Sequence, residues 1–183
     1  MFSALFYDTV SSWVEQQSIG KQFDAIKESD DEVEKQRLTD ASTLALWTSQ
    51  DAANALMLIA DYSLKRFRHH AHIQSKRWKA LGKDARPGTK FTSAISAFAA
   101  QARHLHSWRP YQEEQAVFDS LGQDPQHTHS AAAFLQSVNM TSYDDFEACL
   151  LAVAHDALLG RGWRLENRDS RFVLVREPAR ARR

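Results

Sequence analysis

An arginine and a histidine a few residues apart can act together on a phosphate. The guanidinium clamps two oxygens, and the imidazole moves a proton near neutral pH. The stretch Arg66-Phe-Arg-His-His-Ala-His72 holds that combination. On one continuous helix Arg68 and His72 are four apart and share a face. Arg66 and His72 are turned about 240° from one another and converge only if the helix is distorted or two subunits meet. Arg66, Arg68 and His72 are thus the candidate phosphate and proton-transfer residues. The plainer reading of the same run is a solvated basic helix end.

Two neighbouring stretches extend the cationic surface. Arg103-His-Leu-His106 ends the segment FTSAISAFAAQARHLHSW, with Trp108 close behind. Arg103 and His106 share a helix edge, and Trp108 is available to stack on a base. Either these groups form an anion or RNA contact surface, or they cap a helix whose C-terminal dipole end favours cations. The run Lys76-Arg77-Trp78-Lys79 offers the same choice between phosphate contact with base stacking and a solvated helix end. The nucleic-acid contacts expected here are Arg77, Trp78, Lys79, Arg103, His106 and Trp108.

Seven of the eight histidines fall in three clusters, at 69, 70 and 72, at 104 and 106, and at 127 and 129. Clustered imidazoles can bind zinc or nickel. On a helix, however, positions i and i+2 point about 200° apart, no cysteine set lies nearby, and no HExxH occurs. Neither a metal nor a cofactor is expected. No G-x-S-x-G, P-loop or dinucleotide fingerprint is present, which disfavours hydrolase, NTPase and oxidoreductase chemistry.

The long central helices, the Arg66-x5-His72 spacing and the segment AISAFAAQARHLHSW resemble the HEPN class of small helical proteins, over roughly residues 45–160. The class carries an R-x4–6-H motif. The residue after its arginine is commonly polar and is Phe67 here, while Arg103-His-Leu-His106 is too short to match. The resemblance implies a helical fold and an RNA-binding protein or metal-independent ribonuclease of a bacterial conflict system. Arginine and histidine would act on the phosphodiester across a dimer interface. The alternative is a non-catalytic interaction module, adaptor or antitoxin-like, that binds protein through its charged faces. RNA, a protein partner and a second copy of the chain are the expected partners.

The elements that must carry these groups read as a helical bundle. Phe91, Ala94, Ile95, Phe98, Ala102 and Leu105 recur at helical spacing. The alanines between them keep this helix thin, and Pro110 predicts its stop near Trp108. Further helices are predicted near 2–17, 30–47, 50–72 and 142–159, with short ones at 113–121 and 131–138. Ser29-Asp-Asp-Glu32 and Thr48-Ser-Gln-Asp51 supply capping patterns before two of them. Residues 81–89 read as a loop by their Gly and Pro content. Trp163 to Leu165 and Phe172 to Val175 read as a hairpin whose Trp163/Leu165 face packs on a helix.

The fold class is therefore mainly α: a bundle over 1–160, a hairpin over 161–177 packed on it, and an unstructured basic tail over 178–183.

The formal net charge is zero, but the charges are segregated. Residues 1–51 carry ten acidic and four basic side chains, and residues 64–90 carry one and nine. Residues 91–160 hold eight acidic and two basic, and residues 161–183 hold three and eight. That layout gives a dipolar surface with an anion-binding patch, or complementary helices that pair with one another. The lone Cys149 cannot close an internal disulfide and reads as a small buried side chain. No stretch reaches the roughly 18–20 apolar residues of a membrane span. The N-terminus lacks a basic leader and reads as an amphipathic helix. A soluble, cytoplasmic protein is expected.

Overall fold

The computed structural model describes residues 2–27, 31–104, 109–126, 130–140, 142–159, 163–168 and 171–176, the last two segments by their backbone. The chain is mainly helical. In order come α1 (Phe2–Ile26), α2 (Glu32–His70), α3 (Ser75–Trp78), β1 (Asp84–Arg86), β2 (Thr89–Lys90) and α4 (Phe91–Arg103). There follow α5 (Gln112–Leu121), α6 (Ser130–Ser137), α7 (Tyr143–Leu158), β3 (Trp163–Arg168) and β4 (Arg171–Arg176). The closing hairpin forms as expected, pairing Leu165 with Leu174 and Trp163 with Arg176. The side chains of its Trp163/Leu165 face, like the tail, lie outside the described residues.

α4 is the centre. Phe91, Ala94, Ile95 and Phe98 are fully covered, and the small Ala97, Ala99 and Ala100 let neighbours close around the other sides. Phe98 stacks on Phe134 of α6 at 4.8 Å and meets Phe118 of α5 edge-on at 4.9 Å. Phe91 joins Phe134 and Phe146, each at 5.8 Å, and Phe146 continues to Phe6 of α1. A chain of aromatic rings thus ties four helices to α4. The helix ends at Arg103, with His104 already non-helical at φ −127°. It stops short of the Trp108 boundary that Pro110 suggested.

Two expected helices are one. Residues 30–47 and 50–72 form the single 39-residue α2. The pattern Thr48-Ser-Gln-Asp51 does not cap anything. Thr48 Oγ1 donates to Leu44 O (2.9 Å) within the helix, Ser49 Oγ donates across to Thr9 O (3.0 Å), and Gln50 Nε2 donates to Asn54 Oδ1 (2.9 Å). Hydroxyls that bond backward or sideways leave the helix ladder intact. Meanwhile Ala45, Ala52, Ala53 and Leu56 carry the buried stripe through the supposed break. The true start of α2 is capped by Asp31, which accepts from Glu34 N at 3.0 Å.

α1 likewise runs past Gln17 and Gly20 to Ile26. Ile19 packs with Leu38 and Ala45, backed by Phe23, Ile26 and Ala41. With Thr9 against Ser49, these contacts make α1 and the first half of α2 a long antiparallel pair.

The expected loop at 81–89 holds a short antiparallel ladder, Asp84 opposite Lys90 and Arg86 opposite Thr89. Gly88 at φ +83° makes its turn, a backbone region that glycine enters without steric cost.

Candidate functional site

α4 runs back along the second half of α2, so one face of each helix looks at the other. On α2 that face carries Asp61, Lys65 and Arg68, and on α4 it carries Thr92, Ser96 and Arg103. The spacings of four, seven and eleven keep each set in register with the 3.6-residue repeat. Asp61 is 2 % exposed, and its carboxylate accepts from three groups. Ser96 Oγ lies at 2.7 Å, Lys65 Nζ at 2.8 Å and Arg103 Nη1 at 3.1 Å. Burying a carboxylate is costly unless donors surround it, and these three supply that surround.

Beside this network lies a cleft of about 500 Å3. It is lined by Lys65 and Arg68 of α2, Trp78 of α3 and the adjoining Lys79, and Glu113 and Glu114 of α5. Thr92, Ser93 and Ser96 supply hydroxyls to it. Lys79 Nζ reaches Glu113 Oε2 at 2.6 Å. Among the described residues Arg68 meets no carboxylate; its Nε donates to Ile73 O at 3.3 Å. A second cleft of about 330 Å3 adjoins along Lys79 and Ser93, and leads to Gly88, Lys90 and Ser120.

The predicted residues divide. Arg68, Lys79 and Arg103 belong to this region. Arg66 and His72 are both exposed, and no hydrogen bond joins them. The face expected for Arg68 and His72 is not kept, because α2 ends at His70 and His72 turns to φ +49°. Asp61, where Arg103 docks, lies nine residues before the end of α2, roughly 14 Å of helix rise. Arg103 therefore docks beside Lys65 and not at the basic last turn of α2.

Arg77 is exposed and donates to Leu159 O at 3.4 Å. Trp78 is 8 % exposed and tilted against Phe67 at 6.5 Å, so its ring is core and only a margin lines the cleft. His106 and Trp108 lie outside the described residues, as do His127 and His129. Among the described residues no three His, Cys, Asp or Glu side chains converge as a metal site, and no helix is long and apolar enough to cross a membrane.

Asp61 escaped the sequence reading. Its one local sign is a single acid closing the apolar run Leu56 to Ala60, four residues before Lys65. The partners that give it meaning, Ser96 and Arg103, come 35 and 42 residues later. The charge segregation resolves partly into pairing, since Lys79 of the basic 64–90 segment meets Glu113 of the acidic 91–160 segment.

Compared with known proteins, the chain matches no family model, no curated protein and no solved structure.

Proposed function

We propose that the protein binds RNA, with a backbone phosphate held in the cleft between α2 and α4. The carrying observation is Arg68, which lacks a carboxylate partner among the described residues and shares the cleft with Thr92, Ser93 and Ser96. A guanidinium beside hydroxyl donors matches the oxygens of a phosphate. The resemblance of Arg66-x5-His72 to HEPN proteins supports RNA as the ligand and a bacterial conflict system as the setting. A metal-independent ribonuclease needs an imidazole beside the phosphate. His72 stands outside this cleft, so the geometry favours binding over cleavage.

The test is binding of a short single-stranded RNA at low and moderate salt, with cleavage followed in the same samples. Arg68→Ala should weaken binding by about tenfold, and affinity should fall with salt. An RNA not retained even at low salt overturns the reading. Cleavage by the wild type that disappears in His72→Ala restores the ribonuclease.

One observation favours a second reading, a protein-interaction module. Val33, Leu44 and Trp47 are 83 %, 69 % and 63 % exposed along the outer side of α2. Leu44 and Trp47, three apart, form an exposed apolar patch there, and such patches mark contact surfaces. A partner that co-purifies with the wild type and is lost from Trp47→Glu supports this reading.

A further inference from the structure

We infer that the outer face of α2 around Leu44 pairs with the same face of a second copy of the chain, running antiparallel. This names the partner of the interaction reading above and is independent of the RNA reading.

The helix sets the geometry. Its first half packs on α1 through Leu38 and Ala45, against Ile19. The opposite side of that half stays open, with Arg37, Asp40, Leu44, Trp47 and Asp51 all exposed. Steps of seven and of eleven residues return to within about 20° of the same line along a helix. Arg37 and Asp51 lie seven residues to either side of Leu44, and Val33 and Ala55 lie eleven to either side.

A two-fold contact between identical faces is self-complementary: residue i of one copy meets residue j of the other, and j meets i. With the axis at Leu44, positions equidistant from it on opposite sides come together. Leu44 meets its counterpart, flanked by both Trp47 rings. Arg37 of each copy meets Asp51 of the other, giving two reciprocal ion pairs, and Val33 meets the small Ala55. Asp51 has no partner within its own chain among the described residues. Arg37 donates from Nε and Nη2 to Glu34, at 2.6 Å each, and its Nη1 is left to reach outward.

Charge chooses among the alternatives. An axis midway between Leu44 and Trp47 brings Asp40 against Asp51 of the other copy, twice over. A parallel pairing sets Arg37 against Arg37 and Asp51 against Asp51. Like charges select against both, and opposite charges select for the antiparallel register centred on Leu44. The apolar patch supplies the attraction, and the ion pairs supply the alignment. Arg68 lies 24 residues beyond Leu44, about 36 Å of helix rise, in opposite directions in the two copies. The two α2–α4 clefts thus stand roughly 70 Å apart along the paired helices, and neither borrows residues from the other copy.

The experiment measures the mass of the full chain in solution by sedimentation equilibrium, up to about 100 μM. The wild type should reach twice the monomer mass. Arg37→Glu and Asp51→Arg should each weaken self-association at least about tenfold, because each places two like-charge contacts in the dimer. Mixing these two variants should restore a dimer holding one copy of each. The double variant Arg37→Glu/Asp51→Arg should pair with itself. Leu44→Glu should be monomeric with unchanged helical content by circular dichroism, since the side chain is exposed and glutamate favours helix.

A monomeric wild type overturns the inference; a foreign protein lost from Trp47→Glu is then the occupant of the patch, and the interaction reading stands without self-pairing. A dimer that survives Leu44→Glu lies on another face and overturns it too. Charge variants that fail to recover on mixing overturn the antiparallel register about Leu44.

Discussion

Asp61 and Arg103, 42 residues apart, meet at 3.1 Å between the facing sides of α2 and α4. The carboxylate is 2 % exposed, whereas the Arg103 and Lys65 side chains are 42 % and 52 % exposed. The two ends of this network are therefore unequal. Replacing Asp61 leaves Ser96 without its acceptor, while both cations regain water. Asp61→Ala should cost about 1–3 kcal/mol. Arg103→Ala should cost less, because exposed ion pairs contribute little. Urea unfolding of the two variants checks the order; an Arg103→Ala loss equal to that of Asp61→Ala contradicts it.

Phe98 carries the centre of the core through its stack on Phe134 and its edge contact with Phe118. No neighbouring loop can collapse into the space it fills, because α4, α5 and α6 close on it from three sides. Phe98→Ala should destabilise the fold by about 3–5 kcal/mol. The measurement is denaturant unfolding followed by circular dichroism.

Gly82 has φ +81°, and a Cβ built there would lie 2.6 Å from Val153 Cγ2. Val153 is fully buried on α7 and β-branched, so it has little room to turn aside. Both strain and overlap act against a side chain at this position. Gly82→Ala should cost about 1–3 kcal/mol. Adding Val153→Ala should recover the overlap part alone, which appears as a favourable coupling in a double-mutant cycle.

Cys149 is 6 % exposed, and burial pushes its thiol above the ordinary range; Lys83 pulls the other way and Asp145 adds to the rise. A raised value means fewer thiolates at any given pH, so alkylation near neutral pH should be slow until denaturant opens the fold. The stability effect has a definite sign. The folded state holds the thiol proton more tightly than the unfolded chain. Its contribution is complete below the unfolded thiol range and is lost as pH rises through the higher folded value. A Cys149 that reacts in native buffer as fast as free cysteine contradicts this placement.

Some elements were readable from local pattern. α4 announced itself through Phe91, Ala94, Ile95 and Phe98. α5 ends where Gly122 permits φ +66°, Trp163 to Glu166 alternated as a strand does, and Phe172 to Val175 was rich in strand-forming residues. Each of these rests on neighbours within one or two turns. The junction of α2 was misread for the same reason. Thr48, Ser49 and Asp51 are the right types for a cap, and only Thr9 on another helix, accepting from Ser49, settles where a hydroxyl goes.

Residue order determined the helical class, the buried stripe of α4 and the closing hairpin, because side-chain periodicity and backbone preference act over a few residues. Tertiary packing decided the rest. It withdrew Trp78 into the core, stranded His72 past the end of α2, and brought Ser96 and Arg103 to Asp61. Those outcomes depend on how two rigid helices dock, and docking geometry joins positions that no local spacing connects.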